Sequence, residues 1–155
     1  MTPATGAADG RRPKPRECSV AAALDVIGEK WSLLVVRELF LGARKFNDIA
    51  ANTGAPRDIL TARLRRLEEL GVIERRVYSE RPTRYIYVLT DKGKDLRPVL
   101  FALKHWGDTH VMGRVMPPRY VHSCGKLFEP ATQCASCGEA IDPKSLTLSD
   151  STVSA

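Results

Sequence analysis

Residues 54–89 read GAPRDILTARLRRLEELGVIERRVYSERPTRYIYVL, and this stretch decides the fold. Gly54 supplies a turn and Pro56 a helix start, so a helix is expected from Pro56 to Leu70, ended by Gly71. At 100° per residue, Leu60, Leu64 and Leu67 cluster on one side, as a core-facing stripe does. Asp58, Thr61, Ala62, Arg65, Arg66 and Glu69 fall on or near the opposite side, and Arg57 stands at the N-terminus. Behind Gly71 the pattern changes. Val72–Tyr78 and Arg84–Leu89 are rich in β-branched and aromatic residues and flank the turn-like Ser79–Thr83, so a hairpin is expected directly after the helix.

Upstream, Phe46–Asn52 reads as a short helix with Phe46, Ile49 and Ala50 inward, and Thr53-Gly54-Ala55-Pro56 as the break after it. A short helix, a glycine turn, a longer helix and a basic hairpin, in that order, predict a winged helix–turn–helix. Further out, Lys30–Leu41 is expected as a helix with Trp31, Leu34, Val35 and Leu39 buried and Gly42 closing it. Before it, Val20–Ile27 is expected as a first helix capped by Ser19 and ended near Gly28. Downstream, Asp91–Met112 reads as one long helix with Leu96, Leu100, Leu103 and Trp106 in a stripe. Val99 and Phe101 widen that stripe beyond what one small domain buries, which predicts a second copy packed there.

The fold class expected is therefore mainly α with a small β-hairpin wing, dimerising terminal helices and a small zinc-ribbon-like tail. The expected division is a disordered basic arm over 1–15, a DNA-binding and dimerisation domain over 16–116, a cysteine-rich tail over 117–143 and a disordered terminus over 144–155.

With 155 residues and a formal charge of +6, a nucleic-acid partner is one reading of the charge, and its distribution decides more than its sum. Between Arg57 and Arg84 lie eight arginines, five acids and no lysine. Arginine forks grip phosphates and guanine edges with two hydrogen bonds, which lysine cannot do. The expected base contacts are Arg57, Thr61 and Arg65, from the helix that would enter the major groove. Arg75, Arg76, Arg81 and Arg84, on the wing, are expected on phosphates, and Arg66 either joins the DNA surface or pairs with Glu69. Arg63, at the edge of the leucine stripe, is expected to pair with Glu29 or Glu38. No apolar run is long enough to cross a membrane, and no apolar segment follows the basic N-terminus. A cytoplasmic location is expected, with double-stranded DNA as partner and no enzymatic role.

Several of these segments resemble the HxlR-type regulators: Cys18 to Trp31 with Leu33–Leu39, then Arg44-Lys45-Phe46, Leu60 to Arg75, and Tyr87 to Gly93. The resemblance covers about Cys18 to Met112. It implies a homodimeric winged-helix repressor or activator that joins through helices at both ends and binds an imperfect inverted repeat. It also implies that the cysteine matching Cys18 senses electrophiles or oxidants in some members, so an electrophile or other small molecule is a candidate effector. The residues leave two readings of Cys18 open. At a helix start the dipole favours a thiolate, with Arg16 near and Glu17 opposing, yet a small residue packed at an interface fits equally.

The tail lies outside that resemblance. His122-x-Cys124 and Cys134-x-x-Cys137, with Gly125 and Gly138 directly behind the cysteines, make a Cys₃His set suited to structural zinc. His105, His110 or Asp142 are alternative fourth ligands. Two rival functions use the same residues: a thiol–disulfide oxidoreductase working through Cys134 and Cys137, and a zinc-ribbon adaptor that docks another protein. The first lacks the βαβ setting such motifs need.

Overall fold

A computed structural model of the chain describes residues 17–142, 144, 146 and 147; the basic arm expected over 1–15, Arg16 and most of the terminus expected over 144–155 lie outside the described residues. The element order is α1 Ser19–Ile27, α2 Lys30–Phe40, α3 Phe46–Thr53, α4 Arg57–Glu69, β1 Ile73–Glu80, β2 Thr83–Leu89, α5 Asp91–Lys94 and α6 Arg97–Gly107. A π-helical turn, Asp108–Met112, continues α6. This is the expected winged helix–turn–helix.

Helix α2 is the central element. Val35, Val36 and Leu39 on it meet Ile49 of α3 and Leu60, Leu64 and Leu67 of α4, and Val72 and Ile73 close the cluster. Leu60, Leu64 and Leu67 are at most 2% exposed, so the stripe read from sequence is the buried one. Burial of each such side chain contributes about 1.5–3 kcal/mol. In α2 the buried face is rotated from the one expected: Ser32 and Val36 are buried, whereas Trp31 and Leu34 are only half-buried. Glu38 is buried as well. It accepts hydrogen bonds from Arg37 (2.9 and 2.6 Å) and from Asn52 Nδ2 (2.8 Å), which tie α2 to α3 and satisfy a charge that would be costly alone.

Several boundaries differ from the sequence reading. Cys18, not Ser19, occupies the cap position of α1, and its side chain makes no cap bond. The wing strands extend further than expected: pairing runs from Ile73↔Leu89 to Glu80↔Thr83, with an irregularity between Val77 and Ser79. Only Arg81 and Pro82 remain to make the turn.

The expected single helix Asp91–Met112 is broken at Asp95-Leu96. Pro98, in the first turn of α6, has no N–H to continue an α5 ladder, and its ring would clash with the preceding turn. Proline is at home where it stands, at a helix start. The Thr90 cap then locks the short α5 onto the domain. Its hydroxyl lies 2.7 Å from the Gly71 carbonyl and 3.0 Å from that of Val72, and accepts from the Gly93 N–H. Gly93 is needed there because a Cβ would fall 2.2 Å from the Val72 oxygen.

The break divides the stripe on the final helix. Leu96 and Leu100 pack against the domain's own core, while no residue of α6 is fully buried. Val99, Leu103 and Trp106 are turned to solvent, Trp106 at 58%, and Val20 (66%) and Leu24 (56%) of α1 are likewise bare.

Candidate nucleic-acid interface and cysteine-rich tail

The corner between α3 and α4 is built by Thr53 and Gly54. The Thr53 hydroxyl donates to the Ile49 carbonyl (2.7 Å) and accepts from the Ala55 N–H (3.2 Å). Gly54 then turns the chain in the left-handed region, φ 70°, where a Cβ would be strained. With its leucines buried, α4 shows Arg57, Asp58, Thr61, Ala62, Arg65, Arg66 and Glu69 to solvent, as expected.

These side chains are held differently. Arg57 lies over the Phe46 ring (4.7 Å) and donates to Asn47 Oδ1 (3.2 Å), so α3 steers the side chain nearest the helix start. The Thr61 hydroxyl donates back to the Arg57 carbonyl (2.7 Å), leaving its methyl and the oxygen's lone pairs for a partner. Arg65 and Arg66 both reach Glu69, at 3.1 and 3.8 Å. Such exposed pairs are worth only about 0–1 kcal/mol, so a phosphate or a guanine edge can displace them at small cost. Arg63, as expected, pairs with Glu29 (3.4 Å) and stays out of the outward face.

On the wing, Arg75 pairs with Glu68 of α4 (3.1 Å) and lies over Tyr85 (5.0 Å), which fixes the base of the hairpin to the helix. Arg76 donates to Glu74 (2.7 Å). Arg81 and Arg84, at the tip, are exposed and have no acidic partner among the described residues. Arg44 and Lys45 were not among the expected site residues. Both are exposed, Arg44 accepts the Tyr87 N–H on its carbonyl (2.9 Å), and Lys45 lies over Tyr78 (5.5 Å). The signal was the Arg-Lys doublet just before α3, which adds two cations beside the wing.

Cys18 is exposed, and the described cysteines are all free of disulfides. In the tail, Cys134 and Cys137 share one tight turn. The backbone N–H of Cys137, that of Ser136 and the Cys137 side chain, directed at the Cys134 sulfur, hold its thiol below the ordinary value. His122 and Cys124 share a second turn, where the Cys124 N–H donates to His122 Nδ1 (3.3 Å). The two turns are not drawn together: among the described residues no three His, Cys, Asp or Glu side chains lie grouped as a metal ion would hold them.

A helix–turn–helix with an arginine-bearing second helix and a basic wing defines a DNA-binding regulator. The chain matches the HxlR-like helix-turn-helix family over residues 26–114 and belongs to it. It is a transcriptional regulator of that type. An HTH-type transcriptional regulator of Mycobacterium tuberculosis, MT3179, is 42% identical over 131 residues, 83% of each chain. The crystal structure of PA1607, a transcription-factor candidate, superposes with a TM-score of 0.72 at 34% identity, covering 85% of this chain and 94% of that one. HypR, a redox regulator solved in its oxidised form, gives 0.56 at 34% identity, covering 60% of this chain and 97% of its own. The first two similarities cover more of the chain than the family match does, and the third covers a similar length. Among the described residues no helix is long and apolar enough to cross a membrane.

Proposed function

We propose that the chain binds an imperfect inverted repeat as a homodimer, α4 in the major groove and the wing on the flanking backbone. One observation carries the reading: α4 buries Leu60, Leu64 and Leu67 and turns Arg57, Thr61, Arg65 and Arg66 outward, with the arginines of the hairpin directly behind. In this reading Arg57, Thr61 and Arg65 meet base edges and Arg66, Arg75, Arg76, Arg81 and Arg84 meet phosphates. Dimerisation is supported by the apolar side chains that α1 and α6 leave bare, which a second copy would cover. Selection of genomic fragments by the purified protein tests the reading. It should enrich duplexes with two related half-sites in inverted orientation, and an enriched pool without them would refute it. The protein acts by binding and carries no enzymatic activity in this reading; a cytoplasmic location fits that role.

A second reading concerns the input. HypR is named a redox regulator, and Cys18 stands exposed at the start of α1 with its side chain uncommitted to a cap bond. We propose that Cys18 is the group through which oxidants or electrophiles change DNA affinity. Cys18→Ser should then keep basal operator binding and lose the response to diamide that the unaltered protein shows. An unaltered protein that ignores diamide would make Cys18 a packing residue.

A further inference from the structure

A cleft of about 760 Å³ opens between α2, α6 and the start of the tail. Sites for small organic molecules span roughly 300–1,000 Å³, so the cleft has room for one. Its walls are mostly apolar, with Leu33, Leu34 and Phe40 from α2, Phe101 from α6 and Tyr120 from the tail. The tail side is pinned to α6. Phe101 meets Tyr120 (5.0 Å) and Phe128 (4.9 Å) edge-on. Below them Asp108 accepts from Lys104 Nζ (2.6 Å) and the Met116 N–H (3.1 Å), while Lys104 also donates to the Met116 carbonyl (2.7 Å).

The charges bordering the cleft are unequally committed. Both acids there are already satisfied: Glu38 by Arg37 and Asn52, and Asp108 by Lys104 and the Met116 N–H. Two cations on the same border, Lys30 and Arg97, have no acidic partner among the described residues. Arg97 is also positioned. Its guanidinium lies over the Phe40 ring (5.3 Å) and the Phe101 ring (5.9 Å), so one aromatic side chain from each wall holds it at the border. A guanidinium oriented in this way can offer its fork of N–H groups to a carboxylate with little further ordering.

An apolar cavity bordered by an unpaired, oriented arginine suits an anion with an apolar body, and walls bearing Phe101 and Tyr120 favour a flat ring over an alkyl chain. We propose that the cleft binds a small aromatic carboxylate, its ring between α2 and Phe101 and its carboxylate on the Arg97 guanidinium. The ligand bears on DNA binding through its position, a consequence that rests on the dimeric reading above. Helix α2 carries α3 and α4 on its buried face, and Leu103, assigned to the dimer contact, borders the same cleft. A molecule wedged there sets the angle between the DNA-reading helix and the dimer contact, and with it the spacing of the two reading helices.

Calorimetric titration of the full chain with naphthoate, in the absence of DNA, tests the site independently of the regulator reading. One naphthoate should bind per chain. Naphthamide, of the same shape without the charge, should bind about tenfold or more weakly. Octanoate, with the charge on an alkyl chain, should also bind more weakly. Arg97→Gln, at an exposed position outside the core, should erase the preference for acid over amide. No binding, as when the second copy's side chains fill the cleft, would overturn the site, and so would equal affinity for acid and amide or an undiminished preference in Arg97→Gln. Tighter binding of octanoate would overturn the aromatic class. Naphthoate at a saturating concentration should then shift the affinity of the unaltered protein for a selected duplex by about fivefold or more, and that of Arg97→Gln far less. A saturated protein with unchanged duplex affinity would overturn the coupling.

Discussion

Leu103→Glu should convert the regulator to a monomer by sedimentation and weaken operator binding by about 10²–10⁴-fold. The loss is that large because the second half-site of a dimer is bound at a high effective concentration that a monomer forfeits. Leu103 is the informative position because it is 48% exposed on α6, clear of the domain's own core. A carboxylate there costs little in a monomer and a great deal in an apolar seam. Leu100→Glu is the poorer test: Leu100 packs against the core, so its loss would damage the fold itself. A Leu103→Glu protein that is folded, dimeric and fully active would place the interface elsewhere.

Raising salt from 50 to 200 mM should weaken binding by about 10³–10⁵-fold if six to ten phosphates are neutralised per dimer. Within that fall, helix and wing should separate. Arg81, at the wing tip without an acidic partner among the described residues, carries only the electrostatic part. Arg81→Ala should weaken all duplexes alike and lower the log–log salt slope by about 0.9 for each phosphate that is no longer neutralised, hence about 1.8 per dimer. Arg65→Ala should instead cost about 1–3 kcal/mol on the cognate duplex, relaxing the preference at one base pair per half-site. Titrations at several salt concentrations on cognate and scrambled duplexes separate the two, and identical behaviour would contradict the assignment of helix and wing.

What the sequence discloses depends on how local the determining physics is. Period and punctuation between Phe46 and Leu89 determine both the corner and the hairpin. Leu60, Leu64 and Leu67 repeat at helical spacing, Gly54 can enter the left-handed region, and two β-branched runs flank the turn-like Ser79–Thr83. The outward arginines of α4 follow from the same wheel. Less legible were features set by a single residue against a trend, or by packing between residues distant in sequence. Pro98 ends a run that periodicity alone continues, and with it the apolar stripe splits into a core-facing and a solvent-facing half. The buried Glu38 carboxylate depends on Asn52, 14 residues away, so hydropathy cannot reveal it. Likewise Arg57 is steered by Phe46 and Asn47, and Arg75 by Glu68 and Tyr85, pairings that exist only once the elements have packed. The tail's cysteine spacing was plain, whereas its seat on Phe101 was not.

The most direct measurement is a footprint of the purified protein on a duplex recovered by genomic selection. Binding as a two-fold dimer through α4 predicts two protected half-sites in inverted orientation, centred about 34–36 Å apart or a multiple of that. Protection should extend outward where each wing meets the backbone and shrink there in Arg81→Ala. A single protected half-site, directly repeated half-sites, or uniform protection without preferred positions would contradict the account.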